Sequence, residues 1–216
     1  MVKPSPSRTG KRSETTPETG RPVGRPREFD EDEVVERAVQ LFWEQGYEGT
    51  SLDELLEATG MARQSLYRVF GNKHGLFLRA LERYGDTRMR GAREALLAND
   101  SPREALLGLL DMWEQAATAE DFSGCLCMNS LTEFACQGDA DIRARTLVEV
   151  DALENALAKT LGLGVELGEL SLGRAPHVVA HMIVGVGVAL THLGRSGARP
   201  EVVRSIVTGA RDLLGG

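Results

Sequence analysis

Cysteine is scarce in this chain of 216 residues: three occur, Cys125 and Cys127 in a C-L-C pair and Cys136 further on. So small and odd a number excludes a disulfide framework, and the spacing matches no familiar zinc site. A reducing compartment, the cytoplasm, is the simpler setting. Basic residues are outnumbered, with Lys+Arg 25 against Asp+Glu 32 and a net charge of -7, which excludes a uniformly basic nucleic-acid coat but leaves room for a local basic face. No run of about eighteen apolar residues occurs, and none follows the opening M-V-K-P-S-P-S-R, so neither a membrane span nor a secretory signal is expected. The sequence also lacks G-x-S-x-G, Walker, H-E-x-x-H and dinucleotide motifs; an enzyme, a cofactor and a metal are therefore not expected.

What is present falls into three parts. Residues 1–27 are rich in Pro, Gly, Ser, Thr and Arg, carry seven basic residues against Glu14 and Glu18, and close on G-R-P-V-G-R-P-R. With little to bury they read as a disordered basic arm, which either tracks a polyanion or only solubilises the chain. From Asp30 the pattern turns helical. Asp30, Glu31, Asp32 and Glu33 favour a helix start, Val34, Ala38, Leu41 and Phe42 recur at helical spacing, and Gly46 ends the segment. Thr50 or Ser51 caps a short second helix, T-G punctuates it, and a third carries Met61, Leu66 and Phe70 towards the core. A long helix follows from Lys73 to about Ala98, and further helices are expected over 102–118, 124–137, 139–161, 174–195 and 200–214. The fold class is all-α: a helix-turn-helix head over 28–73 and a larger helical body over 74–216.

The head is electrically polarised. Residues 28–57 hold eleven acids and one base, whereas 58–84 hold Arg63, Arg68, Lys73, Arg79 and Arg83 against Glu82 alone. With Leu66 and Phe70 turned inwards, Arg63, Gln64, Ser65, Tyr67 and Arg68 occupy the outer and flanking surfaces of the third helix. Arg can reach guanine O6/N7, Gln can pair with adenine, and hydroxyls can reach bases or phosphates in a major groove.

The stretch T-S-L-D-E-L-L-E-A-T-G-M-A-R-Q-S-L-Y-R-V-F-G-N-K-H-G-L-F, residues 50–77, extended backwards through A-V-Q-L-F-W-E-Q-G-Y-E-G, closely resembles the DNA-binding motif of the TetR/AcrR family of bacterial transcriptional regulators. The resemblance implies that Thr50, Arg63, Gln64, Ser65, Tyr67 and Lys73 lie at or near double-stranded DNA, with Tyr67 and Lys73 on phosphates and Arg63, Gln64 and Ser65 facing bases. Val69 departs from the family, many members of which carry His there. Arg25, in the arm just ahead of the head, is a further expected DNA contact. The resemblance also implies a repressor, a homodimer and a small-molecule inducer; a helical interaction module without sequence-specific DNA binding is the alternative.

In the body, residues 176–195 are apolar on most faces, and Gly185, Gly187 and Ala189 would allow close helix approach. That fits a dimer interface or an internal core helix; the resemblance favours the interface. His177 and His181 share a helix face without a third ligand, so packing is the better reading than metal. Trp113, Phe122, Met128 and Phe134 are candidate ligand-pocket residues, or else ordinary core. Cys125 and Cys127 follow F-S-G at an expected helix start, where backbone N–H groups stabilise a thiolate. They are either thiol sensors or small buried side chains.

Overall fold

Asp30 opens the first helix, its carboxylate accepting the Asp32 N–H at 2.9 Å, a contact that satisfies one of the donors a helix start leaves unpaired. The computed structural model describes residues 30–135 and 138–215 together with Met1, and every regular element among them is helical. α1 spans Glu31–Gly49, α2 Leu52–Thr59, α3 Arg63–Phe70 and α4 Lys73–Tyr84. A π turn, Gly85–Met89, joins α4 to α5, Arg90–Ala98, so the long helix expected from Lys73 to Ala98 carries a local widening. The body continues with α6 Pro102–Ala117, α7 Leu126–Glu133, α8 Ala140–Glu166, α9 Pro176–Arg195 and α10 Pro200–Asp212.

Between the two candidate caps of α2 the structure selects Ser51, whose hydroxyl accepts the Glu54 N–H while the Glu54 carboxylate accepts the Ser51 N–H, a reciprocal capping box. α7 is shorter than expected because Gly124, at φ 81, turns the chain before it and the helix closes at Phe134. α8 is longer than expected. The G-L-G at 162–164 does not stop it, since Leu170 and Pro102 pack directly on Gly164 and hold the last turn in place; tertiary packing overrides weak helix propensity.

Leu55, Leu66, Leu76 and Phe77 are fully buried beneath the three-helix head, and Phe42 meets Phe77 edge-on at 4.8 Å. α1 continues this apolar layer into the body through α4 and α7. α9 packs among α6, α8 and α10 through Val179, Ala180, Ile183 and Leu190, while Met182 and Gly185 stay exposed. By length and composition alone α9 is apolar enough to cross a membrane, a character it shares with helices that pack inside a folded body, as it does against α6, α8 and α10. His177, His181 and Thr191 interrupt the apolar run without lowering its average enough.

Candidate DNA interface and ligand cavity

α3 is held by its inner face. Leu66 is fully buried and Phe70 nearly so, which leaves Arg63, Gln64, Tyr67, Arg68 and Val69 exposed and Ser65 half-buried. The Arg63 guanidinium pairs with Asp53 of α2 at 2.5 Å, with both side chains more than half exposed. An ion pair so open to water contributes no more than about 1 kcal/mol and is readily exchanged for a nucleic-acid partner. Lys73, at the start of α4, lies with its Nζ 4.2 Å over the Tyr47 ring. Arg63, Gln64, Tyr67 and Arg68 are thus exposed on α3, while Ser65 and Lys73 are half-buried.

Thr50 does not join them. It is fully buried, and its hydroxyl donates to the Gly46 carbonyl at 2.6 Å, so the side chain closes the end of α1 and is not free for a phosphate. Arg25 and the rest of the arm, and Cys136, lie outside the described residues.

A cavity of about 470 Å³ lies where the head meets the body, within the range of small-molecule sites. Trp113, Phe122 and Met128 line it as expected. Phe134 does not: it packs against Tyr47 at 5.2 Å and Phe77 at 6.0 Å, in the seam between α7 and the head. The sequence reading missed Trp43 of α1, Tyr84 of α4 and Met89 of the π turn, all of which face the cavity. Trp43 stacks edge-on against Tyr84 at 5.3 Å and donates its indole N–H to the Gly124 carbonyl at 2.7 Å. The polar groups at the wall are few, Thr87, Arg88, Cys125 and Thr191 among them, so the space suits a largely apolar molecule.

Cys125 is half-buried at the N-cap of α7 and lines this cavity, whereas Cys127 is fully buried. A hydrogen bond from Cys127 holds the Cys125 thiol at about 7, below the ordinary thiol value; the Met128 N–H and Tyr84 add to the effect and burial opposes it. The same bond to Cys125, followed by burial, pushes the Cys127 thiol well up. Iodoacetamide should therefore alkylate Cys125 with a rate that rises through pH 7 and levels near pH 8, with Cys127 silent in the folded protein. Mass mapping across pH checks this; a Cys125 rate still climbing at about pH 9, as for a free thiol, would contradict the assignment.

Among the described residues no group of three His, Cys, Asp or Glu side chains is placed to hold a metal ion. His181 instead meets Glu154 at 2.7 Å, and His177 lies beside it.

The model of bacterial regulatory proteins, tetR family, matches residues 34–80, and a tetracyclin repressor-like C-terminal domain matches residues 102–209. The chain is 40% identical over 115 residues to the HTH-type transcriptional regulator YezE of Bacillus subtilis, covering 51% of this chain and 58% of that protein. It is 41% identical over 112 residues to the Escherichia coli repressor ComR, covering 50% and 53%. The chain thus spans about half the length of these curated relatives. A cysteine mutant of the TetR family regulator CifR, solved with 26-bp double-strand operator DNA, superposes with a TM-score of 0.74 at 30% identity, over 88% of this chain and 100% of that one. The reduced form of E. coli NemR shares the fold, with a TM-score of 0.76 at 19% identity over 85% and 96%.

Proposed function

The chain belongs to the tetR family of bacterial regulatory proteins, and from that premise we propose that it is a homodimeric repressor released from a palindromic operator by a small molecule. It is a helix-turn-helix transcriptional regulator; the dimer, the operator and the inducer are our reading. The observation that carries it is an exposed polar α3 face in a head whose α1 also contributes Trp43 to the wall of an apolar cavity. Repression follows the names of relatives such as ComR and BdcR, and the cytoplasm, where DNA is reached, is the setting this reading requires. The exposed apolar side of α9, including Met182 and Gly185, with α10 beside it, is the proposed dimer face. A two-fold pair of heads would then occupy successive major grooves.

Within each head, Arg63, Gln64 and Ser65 face the bases and Tyr67 and Lys73 the phosphates. The arm, with Arg25, adds electrostatic contact along the backbone through its excess of positive charge. Occupancy of the cavity, by a reversible ligand or by an adduct on Cys125, moves the heads out of register.

Arg63→Ala or Gln64→Ala should change discrimination among operator variants by about 1–3 kcal/mol, the scale of one bidentate base contact. Lys73→Ala should weaken all sequences alike and lower the salt dependence by about one counterion. Titrations across operator variants and salt concentrations separate these outcomes. An equal loss on every sequence for Arg63→Ala and Gln64→Ala would remove their base-reading role, and no difference between specific and scrambled DNA would favour a plain interaction module.

A further inference from the structure

α7 is tied to α1 at both of its ends. Ahead of its first turn, the Gly124 carbonyl accepts the Trp43 indole N–H at 2.7 Å. At its last residue, the Glu133 carboxylate accepts the Tyr47 N–H at 3.0 Å and the Glu48 N–H at 2.7 Å. Between these ties, Cys125 and Met128 line the cavity. The helix has 8 residues, roughly 12 Å at 1.5 Å per residue, too short to absorb a displacement by bending.

The amides that Glu133 holds lie at a weak point of the head. Gly46 has φ 80 and ψ 175, which breaks the α1 hydrogen-bond ladder just before Tyr47 and Glu48. N–H groups after such a break lose their partners within the helix, and a carboxylate from another element replaces them with charge-assisted bonds. The fit is close: a Cβ on Gly46 would stand 3.1 Å from the Glu133 carboxylate. The chain then passes through Thr50, whose N–H donates to the Tyr47 carbonyl, to the Ser51 cap of α2 and on to α3. Arg195 of α9 also reaches this turn, donating to the Glu44 carbonyl at 3.3 Å, and Phe134 packs on Tyr47. Glu133, however, is the body side chain that takes the Tyr47 and Glu48 amides after the break. The placement of the DNA-reading helix relative to α1 therefore runs through a turn whose freed amides this carboxylate holds.

We propose that Glu133 is the positioning residue through which the cavity controls α3, an inference that rests on the cavity being the control site. An occupant that displaces α7 at Cys125 or Met128 withdraws the carboxylate from the Tyr47 and Glu48 amides and frees the Gly46 turn. Phe134, packed on Tyr47 and Phe77, keeps the rest of the seam together, so the response is a change of angle and not dissociation of the head.

The test uses the full chain with Cys127→Ala and Cys136→Ala, alkylated at Cys125 by N-ethylmaleimide as the occupant, on DNA fragments selected by the unmodified protein. In this parent, alkylation should weaken specific DNA binding by about tenfold or more, and amide exchange at Tyr47 and Glu48 should accelerate by roughly tenfold. With Glu133→Ala those amides should exchange fast from the outset, and alkylation should change affinity by less than about twofold. Glu133→Gln keeps one acceptor oxygen and should fall between. A merely structural role would lower melting temperature and affinity together while leaving the alkylation ratio unchanged. A full response in both Glu133 variants, or amides that stay protected in the alkylated parent, overturns the coupling role and leaves cavity control standing. No effect of alkylation on DNA binding in the parent rejects both.

Discussion

Gly75→Ala should cost about 3 kcal/mol or more in stability and abolish specific DNA binding. Gly75 lies in the first turn of α4, where the Asn72 side chain caps its N–H at 2.9 Å. A Cβ there would stand 1.9 Å from the Phe70 carbonyl oxygen, a backbone atom at the end of α3 that has no rotamer by which to retreat. Relief requires α3 to shift away from α4, which undoes the burial of Leu66 and Phe70 that fixes the reading surface. Gly91→Ala is the control, because that glycine lies exposed in α5 with nothing within 4 Å of an added Cβ; it should gain up to about 1 kcal/mol from helix propensity. Thermal unfolding and DNA binding of the two variants give the comparison. Equal stability would mean that the α3–α4 turn is not held as tightly as described.

The second large effect is expected at Glu149. This α8 carboxylate is 5% exposed and meets Arg93 of α5 at 2.6 Å and Arg145, one helical turn before it, at 2.9 Å. Removing the shared anion leaves two guanidinium groups facing each other in a largely covered site, and truncating one member of such a cluster costs about 3 kcal/mol or more. Glu149→Ala should therefore lower the denaturation midpoint strongly. Glu33→Ala, which breaks an exposed pair with Arg37, should cost less than about 1 kcal/mol. Chemical denaturation of both variants decides the matter; similar losses would show that water reaches the Glu149 cluster freely.

Much of the architecture was legible because the forces that set it are local. The acidic start at Asp30, a cap for α2 at Thr50 or Ser51 and the inward pair Leu66 and Phe70 are stated by spacing and side-chain chemistry. The outward placement of Arg63, Gln64 and Tyr67 follows from the same periodicity. What could not be read depends on contacts between distant segments. Trp43 looks like another apolar residue of α1 until Gly124 accepts its indole N–H from 81 residues away. Phe134 sits in the expected helix region, but the actual end of α7 turns it to Tyr47 and away from the cavity. Thr50 matches a DNA-proximal position in the motif, whereas its hydroxyl is committed to the broken end of α1. Glu133 carries no local signal at all, since its importance arises only where α7 meets the unpaired amides after Gly46.

Reading of a specific DNA sequence by α3 is the property on which the rest of the regulation depends. Selection of fragments from a genomic library by the purified full chain, followed by sequencing, measures this most directly. The prediction is strong enrichment of a two-fold symmetric site with half-sites about one helical turn apart or a multiple of it, lost when Arg63 and Gln64 are both replaced by alanine. Recovery of fragments without a shared sequence, at affinities set by salt alone, would contradict it.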